Sequence, residues 1–462
     1  MPTGTAHLDR GVGELSPALV RAAERFGTPV YVLDMVSVDA AARQVAAAFG
    51  PPWILQYSLK ANDLPALVAF LHDRGWGANV VSAGEWRSAR AGQVGNAAVS
   101  FEGIGKTDAD LAFAVTETAS GRPPRWLAVE SADEAGRLAD LAASHRLGRD
   151  GRPGLDLLVR LNPEVEPETT AQFAVGARAS KFGMTGEEIL ALAASGLLDS
   201  PGLRLRGVHV HAGSDLRDVT AWAAAGVRAV RLLGLLSRYS DAADTVDFGG
   251  GFPLPTDGAP EPDRFRQALT AALAEAGLAL PARPAIEPGR YLVGAAGWLV
   301  ASVLHTRAPR PGPGRDDPQV VLDAGMTELI RPALYGSRHA VHALPAGPRS
   351  VRALTATLVE GPVCESTDSL GVHQLPPLGR GDLVALAQAG AYAASFTSRY
   401  NGRPQPPEVL LMADGSLELA RRPYPAGSTV PGVPDGRSGF RSPGARPEGL
   451  AALPAVIEGG TY

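Results

Sequence analysis

From about residue 50 to about residue 290, short apolar runs alternate with segments whose apolar residues recur every third or fourth position. The runs are Trp53–Tyr57, Ala78–Val81, Ala98–Phe101, Trp126–Val129, Leu155–Leu161, Leu205–Val210, Thr245–Phe248 and Pro284–Ile286. Each is short, rich in apolar residues and bounded by turn formers, the pattern of a buried strand. Between them, Ala109–Thr118, Ala132–Ser144, Glu187–Ala194, Val219–Ser237 and Asp263–Ala276 carry the spacing of amphipathic helices. Eight strand–helix repeats in roughly 240 residues match the size of a (β/α)8 TIM barrel, whereas a doubly wound open sheet uses fewer strands.

After Val293 the helical period fades. Short β-like pieces follow at Trp298–His305, Gln319–Asp323, Val351–Leu358 and Leu383–Ala387. Turns rich in Pro and Gly separate them, at Pro309–Pro318, Leu344–Pro348 and Pro376–Asp382. The expected class is therefore α/β: a barrel over residues 31–295 and a second, mostly β domain over 296–423. Residues 1–30 are expected to pack with the β domain. The tail, residues 424–462, is rich in Pro, Gly, Ser and Arg and reads as loosely ordered.

Composition narrows the classes of function. With 43 basic and 48 acidic side chains the charge is nearly balanced, and no basic run marks a nucleic-acid or membrane surface. Cys364 is the single cysteine, so an internal disulfide framework and a cysteine-based zinc site within one chain are both excluded. No segment reaches the roughly 18 apolar residues of a membrane span, and Met1–Arg21 holds no signal-peptide core. A cytoplasmic chain acting on a small molecule is the expectation.

Barrel enzymes carry their chemistry at the C-terminal strand ends. The first strand runs into Tyr57-Ser58-Leu59-Lys60-Ala61-Asn62. Lys60 is either a solvated loop residue or a desolvated, nucleophilic amine able to form a Schiff base. The sixth ends in His209-Val210-His211-Ala212-Gly213-Ser214, and alternation puts both histidines on one side. They read as core histidines or as a flat ring stacked on a cofactor. No Glu follows at a spacing that would complete a metal site on this element, and no metal is expected. The seventh ends in Asp247-Phe248-Gly249-Gly250-Gly251, a tight turn or a cradle of exposed N–H groups for a phosphate. The eighth ends in Glu287-Pro288-Gly289-Arg290. That pair is a plain salt bridge, or a carboxylate for a pyridine nitrogen with a guanidinium fork for an anion. In the second domain, Gly361-Pro362-Val363-Cys364-Glu365-Ser366 sets the lone cysteine in a loop, where a thiol can serve as an acid–base group.

In this order these segments resemble the fold-type III pyridoxal-phosphate decarboxylases, specifically the diaminopimelate decarboxylase pattern. The likeness runs through Tyr57–Asn62, Val81–Glu85, Gly103–Leu111, Lys181–Gly183, His209–Ser214, Asp247–Phe252, Glu287–Arg290, Asp323–Tyr335, Gly361–Leu370 and Ala389–Leu411, over about residues 20 to 420. The resemblance implies a homodimer with active sites at the subunit interface and pyridoxal 5'-phosphate linked to Lys60. It implies His211 stacked on the cofactor ring, Glu287 against the ring nitrogen, and Ser214, Gly249, Gly250, Gly251 and Arg290 around the phosphate. Cys364 would come from the partner subunit and return a proton to the substrate carbon. Arg290, Arg331 and Tyr335 would bind a distal carboxylate, Glu365 a distal ammonium, and Tyr392 would pack near cofactor and substrate. The implied reaction is decarboxylation of meso-diaminopimelate to lysine, or of a related amino acid.

Three positions depart from the pattern. Asn79 stands where the family usually shows an acidic residue, Asp215 replaces a glutamine, and Asn162–Lys181 lacks the usual His- and Tyr-containing stretch. These touch the choice of substrate more than the cofactor machinery. A racemase of the same fold is the alternative enzyme. It needs two opposed bases and has no use for the Cys364 loop. A non-catalytic regulator is the alternative of another class, and such proteins commonly lose the lysine or the cysteine that this chain keeps.

Overall fold

The computed structural model describes residues 10–165, 180–256, 258–309, 317–344 and 353–423. The tail expected to be loose and most of the departing stretch, residues 166–179, lie outside the described residues.

The first strand, β1 (Val30–Asp34), leads into eight further strands: β2 (Ile54–Ser58), β3 (Gly77–Val80), β4 (Val99–Phe101), β5 (Trp126–Val129), β6 (Leu155–Leu161), β7 (Leu203–Val210), β8 (Thr245–Asp247) and β9 (Arg283–Ile286). From β2 to β9 each strand pairs in parallel with the next, and Ile54 of β2 meets Ala285 of β9 to close a barrel. β3, β4, β5 and β8 are buried along their whole length, as strands wrapped by helices must be. The surrounding helices start where the sequence supplies caps. Ser82 and Ser131 accept the N–H groups of Glu85 and Glu134, and Thr107–Asp110 and Thr185–Glu188 form reciprocal capping boxes.

The second domain is built from β10 (Gly297–Arg307), β11 (Gln319–Leu322), β12 (Val341–Ala343), β13 (Thr355–Glu360), β14 (Ser369–Leu375), β15 (Leu383–Leu386), β16 (Glu408–Leu411) and β17 (Leu417–Arg421). Among the described residues these join β1 in a nine-stranded sheet, with β1 antiparallel to β10 and parallel to β16. The barrel therefore does not begin at residue 31: β1 belongs to the sheet, and the chain crosses into the barrel after Asp34, which caps the helix Met35–Ala48. Alternation along β1 explains why the strand sits there. Val30 and Val32 pack under the helix Val12–Phe26, while Tyr31 enters the core on the opposite face.

The sheet domain grips the loop that follows β2. Tyr392 N–H and Ser395 Oγ both donate to Ala61 O, at 2.8 and 3.3 Å. Arg421 bridges Asp63 and Glu408 at 2.7 and 2.8 Å. Close backbone approach makes this possible, since a Cβ on Gly390 would lie 1.8 Å from Val293 O. Residue 60 is thus held between two domains.

Candidate active site

A cavity of about 480 Å³ opens at the C-terminal ends of the barrel strands. Lys60, His211, Ser214, Gly250, Gly251, Glu287, Arg290, Arg331, Tyr335 and Tyr392 all line it, so residues far apart in the chain converge on one space. Gly249 lies just behind, packed on His211.

Lys60 follows β2 on a single tight turn, Leu59–Ala61, and its side chain is exposed. The desolvated amine of the sharper sequence reading is not seen in the single chain. His211 is half-buried, and its Nδ1 accepts the Gly250 N–H at 3.2 Å. Burial, followed by the charges of Lys60 and Arg160, pushes its pKa well below the imidazole range. A neutral ring with its proton on Nε2 is the consequence at pH 7.

The glycine loop is tighter than a free cradle. Gly249 N–H donates to Asp247 Oδ1 at 2.9 Å and Gly250 N–H is taken by His211, so two of the three donors are spent internally. The Gly251 N–H has no acceptor among the described residues. A Cβ at Gly250 would meet Glu287 O at 2.5 Å, and Gly251, at φ +101°, would meet Gly213 O at 2.6 Å. Glycine is required here by contact as well as by φ. Ser214 Oγ accepts from Arg290 Nη2 at 3.0 Å, tying this loop to the residue after β9.

Glu287 is buried and accepts from Asn79 Nδ2 at 3.1 Å. His209 is also buried. It has carboxylate neighbours that its own strand lacks: Glu102 Oε2 at 3.1 Å, off the hydrogen-bonding direction, and Glu287 Oε1 at 3.6 Å.

The opposite wall is cationic. Arg331 opens the short helix Arg331–Tyr335 and is 7 % exposed, yet no carboxylate lies within 4.0 Å of it among the described residues. Its Nη2 donates to Ser337 Oγ at 3.3 Å. Burial and the nearby Arg290 pull its pKa down to about 10. Both guanidinium carbons lie near the Tyr392 ring, Arg290 at 4.8 Å and Arg331 at 5.9 Å.

Cys364 and Glu365 do not reach this cavity within one chain. Cys364 is exposed, and Glu365 Oε1 accepts from Tyr400 Oη at 2.6 Å. Their loop is nonetheless fixed: Asp368 accepts the N–H groups of Met326 and Val363 at 2.6 and 2.8 Å. Two lining residues fell outside the segments that sequence reasoning singled out for function: Glu102 and Arg160. Glu102 carried a usable signal, an acid directly after a buried strand. Arg160 carried none, because it reads as an ordinary member of the strand Leu155–Leu161.

Fold and site together define an α/β barrel with Lys60 lining the cavity at its mouth and a β-sheet domain bracing the loop that carries it. The chain belongs to the pyridoxal-dependent decarboxylases, whose pyridoxal-binding domain matches residues 35–294. Diaminopimelate decarboxylase of Deinococcus radiodurans is 34% identical over 410 residues, covering 88% of this chain and 96% of that one. The Zymomonas mobilis enzyme of the same name is 31% identical over 406 residues, 87% and 91% of the two chains. The crystal structure of Helicobacter pylori diaminopimelate decarboxylase complexed with L-lysine superposes with a TM-score of 0.77 at 26% identity, covering 88% and 96%. Among the described residues, no helix is long and apolar enough to cross a membrane.

Proposed function

We propose that this chain removes one α-carboxylate from meso-diaminopimelate to give lysine, using pyridoxal 5'-phosphate, as a cytoplasmic homodimer. The observation that carries the choice of substrate is Arg331. A buried guanidinium facing the cavity, with no carboxylate within 4.0 Å among the described residues, is costly unless a ligand supplies the anion. Diaminopimelate has a second carboxylate to place there; lysine and ornithine have none.

The residues present fit the cofactor. The amine of Lys60 would hold it covalently, and the neutral His211 ring would lie against its face. Ser214, Gly249, Gly250, Gly251 and Arg290 would hold its phosphate, the open Gly251 N–H among them. Glu287 would face its ring nitrogen. When bound, pyridoxal phosphate supplies an electron sink for the carbon left by departing CO2. Arg331 and Tyr335, with Arg290, would fix the distal carboxylate, and Tyr392 would separate the two anion sites. Cys364 of the partner subunit would return the proton to the reacting carbon, and Glu365 of the partner subunit would hold the distal ammonium.

CO2 release from meso-diaminopimelate, lysine, ornithine, arginine and glutamate tests the reading. Expected is a kcat/KM for meso-diaminopimelate at least about 100-fold above the others, because lysine, ornithine and arginine bring no distal carboxylate to the buried Arg331 and glutamate brings no distal ammonium. Equal turnover of ornithine would refute the assignment. The glycine loop gives a second check. In Gly250→Ala the new methyl strikes backbone, a strain of about 1–3 kcal/mol. Pyridoxal phosphate affinity, measured by equilibrium dialysis, is expected to drop at least about 5-fold.

A further inference from the structure

Beneath the residues assigned to the cofactor, the barrel interior carries acids that this assignment does not use. Glu102 stands directly after β4 and is 3% exposed. Its carboxylate, that of Glu287 and His209 Nε2 lie within 4.8 Å of one another. Glu102 Oε1 accepts from Trp126 Nε1 at 3.4 Å, and its carboxyl stands beside that of Glu287 with no cation between them among the described residues. Asp247 on β8 is the third buried acid; its Oδ1 accepts the Gly249 N–H at 2.9 Å, its Oδ2 has no hydrogen-bond partner among the described residues, and burial, then the charge of Glu287, pushes its pKa well up.

Three ionised carboxyls cannot share so dry a space without cations to match. Arg160, whose charge reaches Glu102, is already bonded to Glu130 at 2.5 Å. Burial pushes His209 down to about 4, so its imidazole is neutral. Lys60 is reserved for the cofactor. Protons must therefore reside on some of these acids. Glu287 accepts the Asn79 amide N–H at 3.1 Å, so one of its oxygens already faces a donor. Ser58 Oγ donates to Asn79 Oδ1 at 3.0 Å, while the amide nitrogen serves Ser100 Oγ at 3.2 Å and Glu287. The neutral residue at 79 also matters for the charge balance, since an acid there would set a further carboxylate against Glu287.

We propose that Glu102 is a positioning residue: as a neutral acid it donates its proton to Glu287, keeping that carboxylate ionised and aimed at the cofactor's ring nitrogen. This rests on the functional reading above. Burial, then the charge of Glu287, pushes Glu102 up to about 8, which agrees with a proton held there at pH 7. The sign follows. The unfolded carboxyl is ionised above the usual carboxylate range while the folded one keeps its proton, so stability declines as pH rises through that window toward 8. Above it, Glu287 faces an anion in place of a donor.

Two measurements on the full-length protein test this, the pH dependence of bound-cofactor absorbance and the melting temperature of the cofactor-free chain. In the wild type the visible absorbance of bound pyridoxal phosphate should show a step near pH 8, and the melting temperature should fall between pH 6 and 9. Glu102→Gln keeps an N–H for Glu287 but cannot ionise. It should lose the step, make the fall of the melting temperature with pH shallower than in the wild type, and bind pyridoxal phosphate at pH 7 within about 3-fold of wild type. Glu102→Ala should bind it about 10-fold or more weakly, the loss expected for a hydrogen bond to a charged group. Asp247→Asn should retain the step. A Gln variant with the wild-type step, or an Ala variant with wild-type affinity, overturns the role of Glu102. A wild type that takes up no pyridoxal phosphate overturns the functional reading, and this role with it.

Discussion

Lys60→Ala is expected to lose the visible absorbance of lysine-bound pyridoxal phosphate and to reduce CO2 release by on the order of 10⁴-fold or more, as removal of a covalent catalytic group does. The fold should survive. The Lys60 side chain projects into the cavity, while the loop carrying it is held by backbone and neighbouring side chains: Ala61 O receives two hydrogen bonds from the sheet domain, and Asn62 caps its own turn at Leu64 N–H. A melting temperature within a few degrees of wild type is the control. Lys60→Arg separates charge from nucleophilicity. A guanidinium keeps the positive charge but does not condense with an aldehyde at neutral pH, so this variant should be as colourless as the alanine one. Absorbance retained in either variant would place the covalent linkage on some other amine.

Much of the barrel could be read from the sequence because its strands are continuous apolar runs set between segments of a different period. Trp126–Val129 and Leu155–Leu161 begin and end in the structure where the pattern places them. β1 has the same texture as those runs, and nothing local tells it that its partners are β10 and β16 at the far end of the chain. Pairing is a tertiary choice, and so the domain boundary was misplaced. β14 and β17 were missed for a different reason: each leaves several residues exposed or half-exposed, and their apolar signal is thin. At the site, reading strand ends found Lys60, His211, the glycines and Glu287, since polar residues directly after buried runs need a reason. The same rule applied to β4 would have found Glu102. Arg331 emerged only through resemblance. Its burial with no carboxylate in reach among the described residues, the property that makes it informative, is a matter of three-dimensional surroundings.

Cys364→Ala should lower turnover about 10²- to 10⁴-fold, the usual contribution of a placed general acid, while leaving cofactor absorbance intact. Within one chain Cys364 is exposed and absent from the cavity lining, so the effect can arise only if a partner's loop enters the site. That dependence is testable without a crystal. Each site would combine Lys60 of one subunit with Cys364 of the other, so a Lys60→Ala chain still carries a sound cysteine loop. Random reassociation with an equal amount of Cys364→Ala chain makes half the dimers mixed. Each mixed dimer then holds one site with both groups intact, and about a quarter of wild-type activity should return. Activity that stays at the level of the separate variants would mean either that the chains do not exchange or that both groups act within one subunit. Size-exclusion chromatography of differently tagged chains decides between these. If mixed dimers form and remain inactive, the cysteine does not act across the interface, and the proton must reach the product carbon from within the same subunit.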